Sequence, residues 1–291
     1  MASKILLTGA SGGFGRLTAQ TLLAAGHQVA AAMRDVAGRN RETAAALAAR
    51  GAEVIEMDVS DDASVDLGVA SANDRLAGLD VVIHGAGIGT IGLQEAFTAD
   101  DLRRLFEVNL FGVHRVNRAL LPAWRERRSG LMVNVSSLLG RITMPFYGPY
   151  NASKWALEAL SENYRSELSG FGIEVCIVEP GGYATSFMHN LMRPSDRGRA
   201  DGYGAMAAAP QAFLEGFERT LLATPAQDPQ HVADAVASLV AAAAGTRPFR
   251  TTVDSLGMGD AVAGYNDALA SLTLGVYRNM GIETMLNVQT S

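Results

Sequence analysis

The sequence predicts a three-layer α/β/α fold: a doubly wound parallel sheet of about seven strands with helices on both faces. Three observations carry this expectation. Short apolar runs alternate with stretches of helical periodicity along the 291 residues. The runs are nearly continuous in apolar residues, as strands buried on both faces are. The chemically distinctive motifs fall where those runs end, which is where ligands bind in parallel sheets. The strands are expected at 4–8, 28–33, 53–57, 80–84, 131–136, 173–178 and 249–253. The helices are expected near 13–25, 41–50, 61–76, 99–127, 149–169 and 229–243. No repeat or low-complexity linker interrupts the series, so residues 1–291 read as a single domain.

The first strand runs straight into Thr8-Gly9-Ala10-Ser11-Gly12-Gly13-Phe14-Gly15, which opens the first helix. Glycines there permit a tight turn and close backbone approach to a pyrophosphate, with the helix N-terminus supplying N–H groups. The Gly-Lys-Ser/Thr ending of a P-loop is missing, which argues against an ATPase. This is the nucleotide turn of a Rossmann-type sheet. The second strand ends at Met33-Arg34-Asp35. A dinucleotide site without a 2′-phosphate usually has a carboxylate at this strand end, and Met33 cannot serve. Arg34 can bind a 2′-phosphate, assisted by Ser11 or Arg39. NADP(H) is therefore expected ahead of NAD(H), with Asp35 as the alternative ribose partner. Asp58 and Val59 end the third strand, where Asp58 could accept from an adenine amino group. Ser60, Asp61 and Asp62 beside them suit helix capping. The fourth strand ends in His84-Gly85-Ala86-Gly87, small residues that let backbone approach a cofactor.

After the helical stretch 99–127 and the fifth strand come Ser136 and Ser137. Tyr150-Asn151-Ala152-Ser153-Lys154 opens the next helix. Positions i and i+4 share a helix face, so the Tyr150 phenol and Lys154 ammonium are expected to meet. A neighbouring cation lowers a phenol pKa, which suits proton transfer to or from an alcohol or ketone oxygen. Residues 183–227 break the strand–helix rhythm with glycines, prolines and scattered aromatics, and are read as a lid beside the site. Phe146, Tyr147, Tyr183, Phe187, Met188 and Met192 predict a mainly apolar substrate pocket. Residues 255–291 form a tail whose packing the sequence leaves open.

Composition narrows the alternatives. The net charge is −6 and the pI about 5.4, so neither nucleic acid nor an anionic membrane is an expected partner. The basic cluster Arg125 to Arg128 ends a helical stretch, where cations are favoured. Cys176 is the single cysteine and lies in the apolar run Val175-Cys176-Ile177, as a buried strand residue would. The five histidines, at 27, 84, 114, 189 and 231, show no metal-ligand spacing. The N-terminus has no leader pattern, and Val232 to Ala244 is too short to span a bilayer. A cytoplasmic protein follows from these readings.

Together these residues resemble the short-chain dehydrogenase/reductase family over roughly residues 3–255. The resemblance implies that Gly9, Gly13 and Gly15 form the cofactor loop and that Asp58 contacts adenine. It implies a catalytic tetrad of Asn109, Ser137, Tyr150 and Lys154, with the interval to Tyr150 favouring Ser137 over Ser136. Pro180, Gly181 and Thr185 resemble the family's nicotinamide-side turn. Where the family usually reads Asn-Asn-Ala-Gly, this chain has His84-Gly85-Ala86-Gly87. Both asparagine side chains are gone, and His84 is read as a structural hydrogen-bonding substitute. Gly9, Gly12 and Gly15 also fit the spacing of a longer epimerase/dehydratase branch. The Ser137–Tyr150 interval and the small region after the sixth strand oppose that branch. Met33-Arg34-Asp35 and Arg247-Pro248-Phe249-Arg250 resemble NADP-linked reductases of steroid and retinoid type.

The expected activity is reversible hydride transfer between NADP(H) and a secondary alcohol or ketone. Ser137 would hold the oxygen and Tyr150 would exchange its proton. Lys154 would tune the phenol and bind ribose hydroxyls, and Asn109 would support a water chain through Lys154. The alternative is a non-catalytic NADP(H)-binding sensor or scaffold, which need not keep all four residues. The resemblance also implies a homodimer or homotetramer built on the helices near 99–127 and 149–169.

Overall fold

The structure, a computed structural model, describes residues 2–289. Seven strands form one wholly parallel sheet: β1 (Lys4–Thr8), β2 (Gln28–Met33), β3 (Glu53–Glu56), β4 (Val81–His84), β5 (Gly130–Val135), β6 (Ile173–Pro180) and β7 (Arg250–Val253). Their spatial order is β3-β2-β1-β4-β5-β6-β7. The order reverses direction between β1 and β4, so a crevice opens beyond their carboxyl ends. The strands match the apolar runs to within about two residues. β6 is the extreme case, extending through Glu179 and Pro180.

Helices cover both faces. The first half contributes α1 (Gly13–Ala24), α2 (Arg41–Ala48) and α3 (Asp62–Leu76). The middle contributes α4 (Ala99–Phe106), α5 (Gly112–Arg127) and α6 (Gly148–Leu168), and the remainder α7 (Ser186–His189), α8 (Gly198–Asp201), α9 (Ala209–Leu222), α10 (Gln230–Ala241) and α11 (Gly259–Met280). Leu22 of α1, Leu47 of α2 and Val232 and Val236 of α10 fill one core with one face of the strands. Val65 and Val69 of α3, Leu120 and Trp124 of α5 and Leu168 of α6 fill the other. Cys176 is fully buried between layers, and burial pushes its thiol up to about 12.

Three departures from the expected elements matter for the site. The single helix expected over 99–127 is two helices joined by a π turn at Glu107–Phe111. Thr98 and Asp101 form a reciprocal capping box that starts α4. The wide turn re-aims Asn109 inward, where it is buried. An inserted residue of this kind leaves no mark on helical periodicity.

Residues 183–227 hold α7, α8 and α9 rather than one loop. Their middle is clamped: Thr90 and Met192 form a bridge, and Ser195 donates from both N and Oγ to Asp101. Burial works to raise the Asp101 pKa, but hydrogen bonds from Ser195, Thr98 and Arg104 outweigh it and hold the carboxyl well below its usual range. Ile91, Tyr147, Tyr150, Met188, Leu191 and Leu214 make a third apolar cluster under this segment, beyond the strand ends.

The tail folds as α11 and packs on its own chain. Tyr277 Oη lies 3.0 Å from Ser166 Oγ, Arg165 donates to Leu286 O at 3.1 Å, and Gln289 N donates to Ser169 O at 2.9 Å.

Candidate active site

Ser137, Tyr150 and Lys154 reach one cleft from two elements. Ser137 leaves β5 in extended conformation, and its Oγ accepts from Leu139 N at 3.1 Å, starting the 3-10 turn Leu138–Gly140. It also donates weakly to Pro180 O at 3.5 Å. Tyr150 and Lys154 lie on the first turns of α6, which Pro149 opens at a position that requires no amide donor. All three side chains are buried.

The electrostatics correct one expectation. Lys154 Nζ lies 5.8 Å from the Tyr150 ring centroid and donates to Val135 O at 2.8 Å. The ammonium therefore lies on the side of the ring and bonds to the end of β5. Burial pushes the Tyr150 phenol up to about 12, with the facing Ser137 hydroxyl drawing it back in part. Burial draws Lys154 down to about 8 against the attraction of Glu158, one turn along α6. At neutral pH the phenol is protonated. The i, i+4 spacing brought the pair to one face, but rotamers and burial decided which atoms meet.

Asn109 is engaged with backbone. Its Oδ1 accepts from Ile88 N at 2.9 Å, and its Nδ2 donates to Ile88 O at 2.9 Å and to Ser153 Oγ at 3.0 Å. A Cβ on Gly87 would lie 3.6 Å from Asn109 Oδ1 and 3.8 Å from Lys154 Nζ. Asn109 thus fixes the segment after β4 beside Lys154, and its side chain has no free donor to spare for a water chain.

The cleft has a cavity volume of about 140 Å³, and Tyr147, Tyr183, Phe187 and Met188 line it. Phe146 and Met192 do not. Phe146, with φ of 69°, borders the neighbouring crevice with Pro145 and Trp155, and its ring packs edge-on behind the cleft wall, 5.8 Å from that of Phe213. Met192 is held back by its bridge to Thr90. Leu139, Met144, Phe213, Phe217 and Met258 line the cleft and escaped the sequence reading. Phe213 and Phe217 have helical spacing in α9, but the surrounding glycines and prolines hid it. Among the described residues, Lys154 is the one lining side chain that carries a charge at neutral pH.

The nucleotide end is built from close backbone contacts. A Cβ on Gly9 would lie 2.6 Å from Ala86 backbone, and one on Gly15 would lie 2.2 Å from Gly9 O. Gly9 also has φ of 70°. Gly13 faces Thr185, whose Cβ would be 2.7 Å from an added methyl. Phe14 packs edge-on against Tyr183, with centroids 5.4 Å apart. Gly181 N is held by Val253 O at 2.9 Å. Ser11, Arg34, Arg39, Asp58, Val59 and Ala86 line one pocket beyond β1, β2 and β3. Asp35 is not among its lining residues. It has φ of 52°, and its Oδ2 accepts from Arg39 N at 3.0 Å.

Arg34 lies 3.5 Å from Asp58, and both are partly exposed. Asp58 Oδ1 accepts from Ser60 N and Oγ at 2.9 and 2.6 Å, so half of this carboxylate is already engaged. Asp61 is the residue that caps α3, accepting from Ser64 N. His84 is buried and pairs with Asn117 Oδ1 at 2.8 Å. Burial holds its pKa down at about 4, so it sits neutral beneath the Gly85–Gly87 turn. This crowded glycine cradle fits a dinucleotide.

The family described as short chain dehydrogenase matches residues 3–196. The chain belongs to this family. It is 32% identical over 252 residues to a 3-ketodihydrosphingosine reductase of Bacteroides thetaiotaomicron, covering 87% of this chain and 88% of that protein. A short-chain dehydrogenase from Streptomyces avermitilis superposes with a TM-score of 0.74 at 32% identity, covering 96% of this chain and 98% of that one. A family member from Burkholderia phymatum, solved in complex with NAD, superposes with a TM-score of 0.71 at 25% identity over 100% of this chain and 98% of that one. As a short-chain dehydrogenase the protein is an oxidoreductase acting on CH–OH or C=O groups with a nicotinamide cofactor. Among the described residues no helix is long and apolar enough to cross a membrane, and no cluster of ligating side chains could hold a metal ion.

Proposed function

We propose that this short-chain dehydrogenase reduces an apolar ketone with NADPH, and oxidises the corresponding secondary alcohol in reverse. The observation that carries the reading is the meeting of Ser137, Tyr150 and Lys154 in one cleft whose walls are mainly aromatic, aliphatic or methionine, with Ser136, Thr185 and glycines at its cofactor side. When bound, the nicotinamide supplies the hydride. Ser137 Oγ donates to the carbonyl oxygen and stabilises the charge that develops there. Tyr150 Oη gives that oxygen a proton, which a phenol with a pKa pushed up to about 12 carries throughout the neutral range. Lys154 stands behind the ring, stabilises the phenolate that remains, and reaches the ribose hydroxyls. Asn109 acts by fixing Ile88 and Ser153 around Lys154. The walls exclude water and select a substrate without a charged group near its reacting carbon.

The preference for NADP(H) rests on Arg34. Its guanidinium lines the adenosine-end pocket with Ser11 and Arg39, whereas Asp35 is turned to cap its own loop. Asp58 and Val59 border the adenine, and Gly85, Ala86, Gly87, Pro180, Gly181 and Thr185 border the rest of the dinucleotide. Residues 183–227 serve as the lid. Phe111 and Trp155 are exposed apolar residues at the start of α5 and on α6, and those helices are the proposed surfaces of a two-fold assembly.

Tyr150→Phe tests the reading. It should lower turnover of ketones by about a thousandfold, the range of a lost general acid. NADPH affinity by calorimetry should stay within about twofold, since the phenol ring is kept. Turnover surviving the substitution would sink the proposed role of Tyr150.

A further inference from the structure

The segments that carry Ser137, Lys154 and Pro180 meet a second time, behind the cleft. Arg141 follows the turn after Ser137, Glu158 lies one helical turn after Lys154, and Glu179 directly precedes Pro180. All three side chains are buried. Arg250 of β7 donates from Nε to Glu158 Oε2 at 2.9 Å, lies 3.4 Å from Glu179 Oε1, and pairs with Glu162. Arg141 lies 3.9 Å from both Glu158 and Glu179, too far for a hydrogen bond.

One residue closes that gap. Asn266 of α11 accepts from Arg141 Nε at 2.9 Å and donates from Nδ2 to Glu179 Oε2 at 2.6 Å. It is buried although its neighbours Tyr265 and Asp267 are exposed. The same C-terminal stretch holds the front of the 180–183 turn. Val253 O accepts from Gly181 N at 2.9 Å and from Tyr183 Oη at 3.1 Å. Gln227 donates to Gly182 O at 2.7 Å and to Asp254 at 3.2 Å, and accepts from Ser255 N at 2.6 Å. Glu158 Oε1, Glu179 Oε1 and Arg141 Nη2 have no hydrogen-bond partner among the described residues. The cluster therefore depends on the few bonds it does make.

We propose that Asn266 is a positioning residue: through its paired bonds to Arg141 and Glu179, α11 fixes the Ser137 turn relative to the turn at 180–183. A truncation of its amide leaves a buried guanidinium and a buried carboxyl without their shared partner. Both are attached to segments that must hold reacting groups to within a fraction of an ångström. That the 180–183 turn faces the nicotinamide rests on the function proposed above. The bracing itself does not.

The test is backbone hydrogen exchange on the full-length, cofactor-free protein, comparing wild type with Asn266→Leu. Amides at 137–141 and 179–183 should lose protection by about tenfold, with β1 and β2 unchanged, as local opening of one unit would give. In ketone turnover kcat should fall by a similar factor while the ratio of NADPH to NADH affinity stays fixed, because the adenosine end lies across the sheet. Asn266→Asp keeps the acceptor for Arg141 and loses the donor to Glu179, so its loss of protection should be confined to 179–183. Protection unchanged at both segments, or lost along the whole chain in both variants, would overturn the proposal. So would an unchanged kcat where protection is lost. A wild type that binds no NADPH would instead sink the proposed function and leave the exchange result standing.

Discussion

The two halves of the sheet secure their strand ends in opposite ways. Beyond β1 and β4, backbone rests on backbone: Gly9 meets Ala86, Gly15 meets Gly9, and Thr8 Oγ1 accepts from Ala86 N at 3.2 Å. Beyond β5 and β6, buried charged and amide side chains from distant segments do the holding. Arg141 and Asn266 are 125 residues apart, Glu158 and Arg250 are 92, and Glu179 and Asn266 are 87. Only glycines allow these close backbone contacts, so the nucleotide half is held by local sterics. The substrate half is rigid only while a partly satisfied polar cluster stays assembled, which makes it sensitive to charge and to the C-terminal helix.

The sharpest way to break the nucleotide half is Gly15→Ala. Its methyl would lie 2.2 Å from Gly9 O, a backbone atom that cannot step aside cheaply. NADPH affinity should fall by about a hundredfold or more, the scale of a displaced close contact. Calorimetry checks it, and affinity within about threefold of wild type would show that the loop can relax.

Arg34→Leu acts on the same half without touching its backbone. NADPH affinity should weaken by about ten- to a hundredfold, matching a lost charge-assisted contact, and NADH affinity should hardly move. Equal losses for both cofactors would shift the ribose contact to Asp35.

The smallest effect concerns the substrate half and its pH response. Burial and the Glu158 charge hold the Glu179 carboxyl above its usual range. The folded state then binds a proton that the unfolded state has released, so stability falls as pH rises toward that raised value. Lys154 is drawn down from 10.5 to about 8, so above pH 8 the unfolded state binds the extra proton and stability recovers. The melting temperature of the cofactor-free protein should therefore pass through a minimum near pH 8. Glu179→Gln should flatten the side below it and Lys154→Met the side above it. Scans of both variants, run from pH 6 to about pH 10 in a Cys176→Ala background, isolate the two contributions, because the buried thiol, pushed up from 9.0 to about 12, would itself lower stability above about pH 9.

What was legible in the chain follows the same division. The Gly9–Gly15 turn, the apolar runs and the Tyr150–Lys154 spacing are local patterns, and local sterics and periodicity can be read from neighbours in sequence. Even there, the spacing placed Tyr150 and Lys154 on one face without revealing that the ammonium would bond to Val135 O. The π turn that aims Asn109, the clamp of Ser195 on Asp101 and the cleft walls from Phe213, Phe217 and Met258 were not legible. Each depends on which remote segment arrives beside it.

The sequence by itself determined the doubly wound parallel sheet, the family and the meeting of a glycine loop with Ser137, Tyr150 and Lys154, because periodicity and close backbone approach are encoded over a few residues. The tertiary structure decided the protonation of the phenol and ammonium, the turning of Asp35 away from the nucleotide pocket and the placement of Asn266 behind the cleft. Burial and long-range charge are properties of the folded neighbourhood, which no single stretch of chain contains.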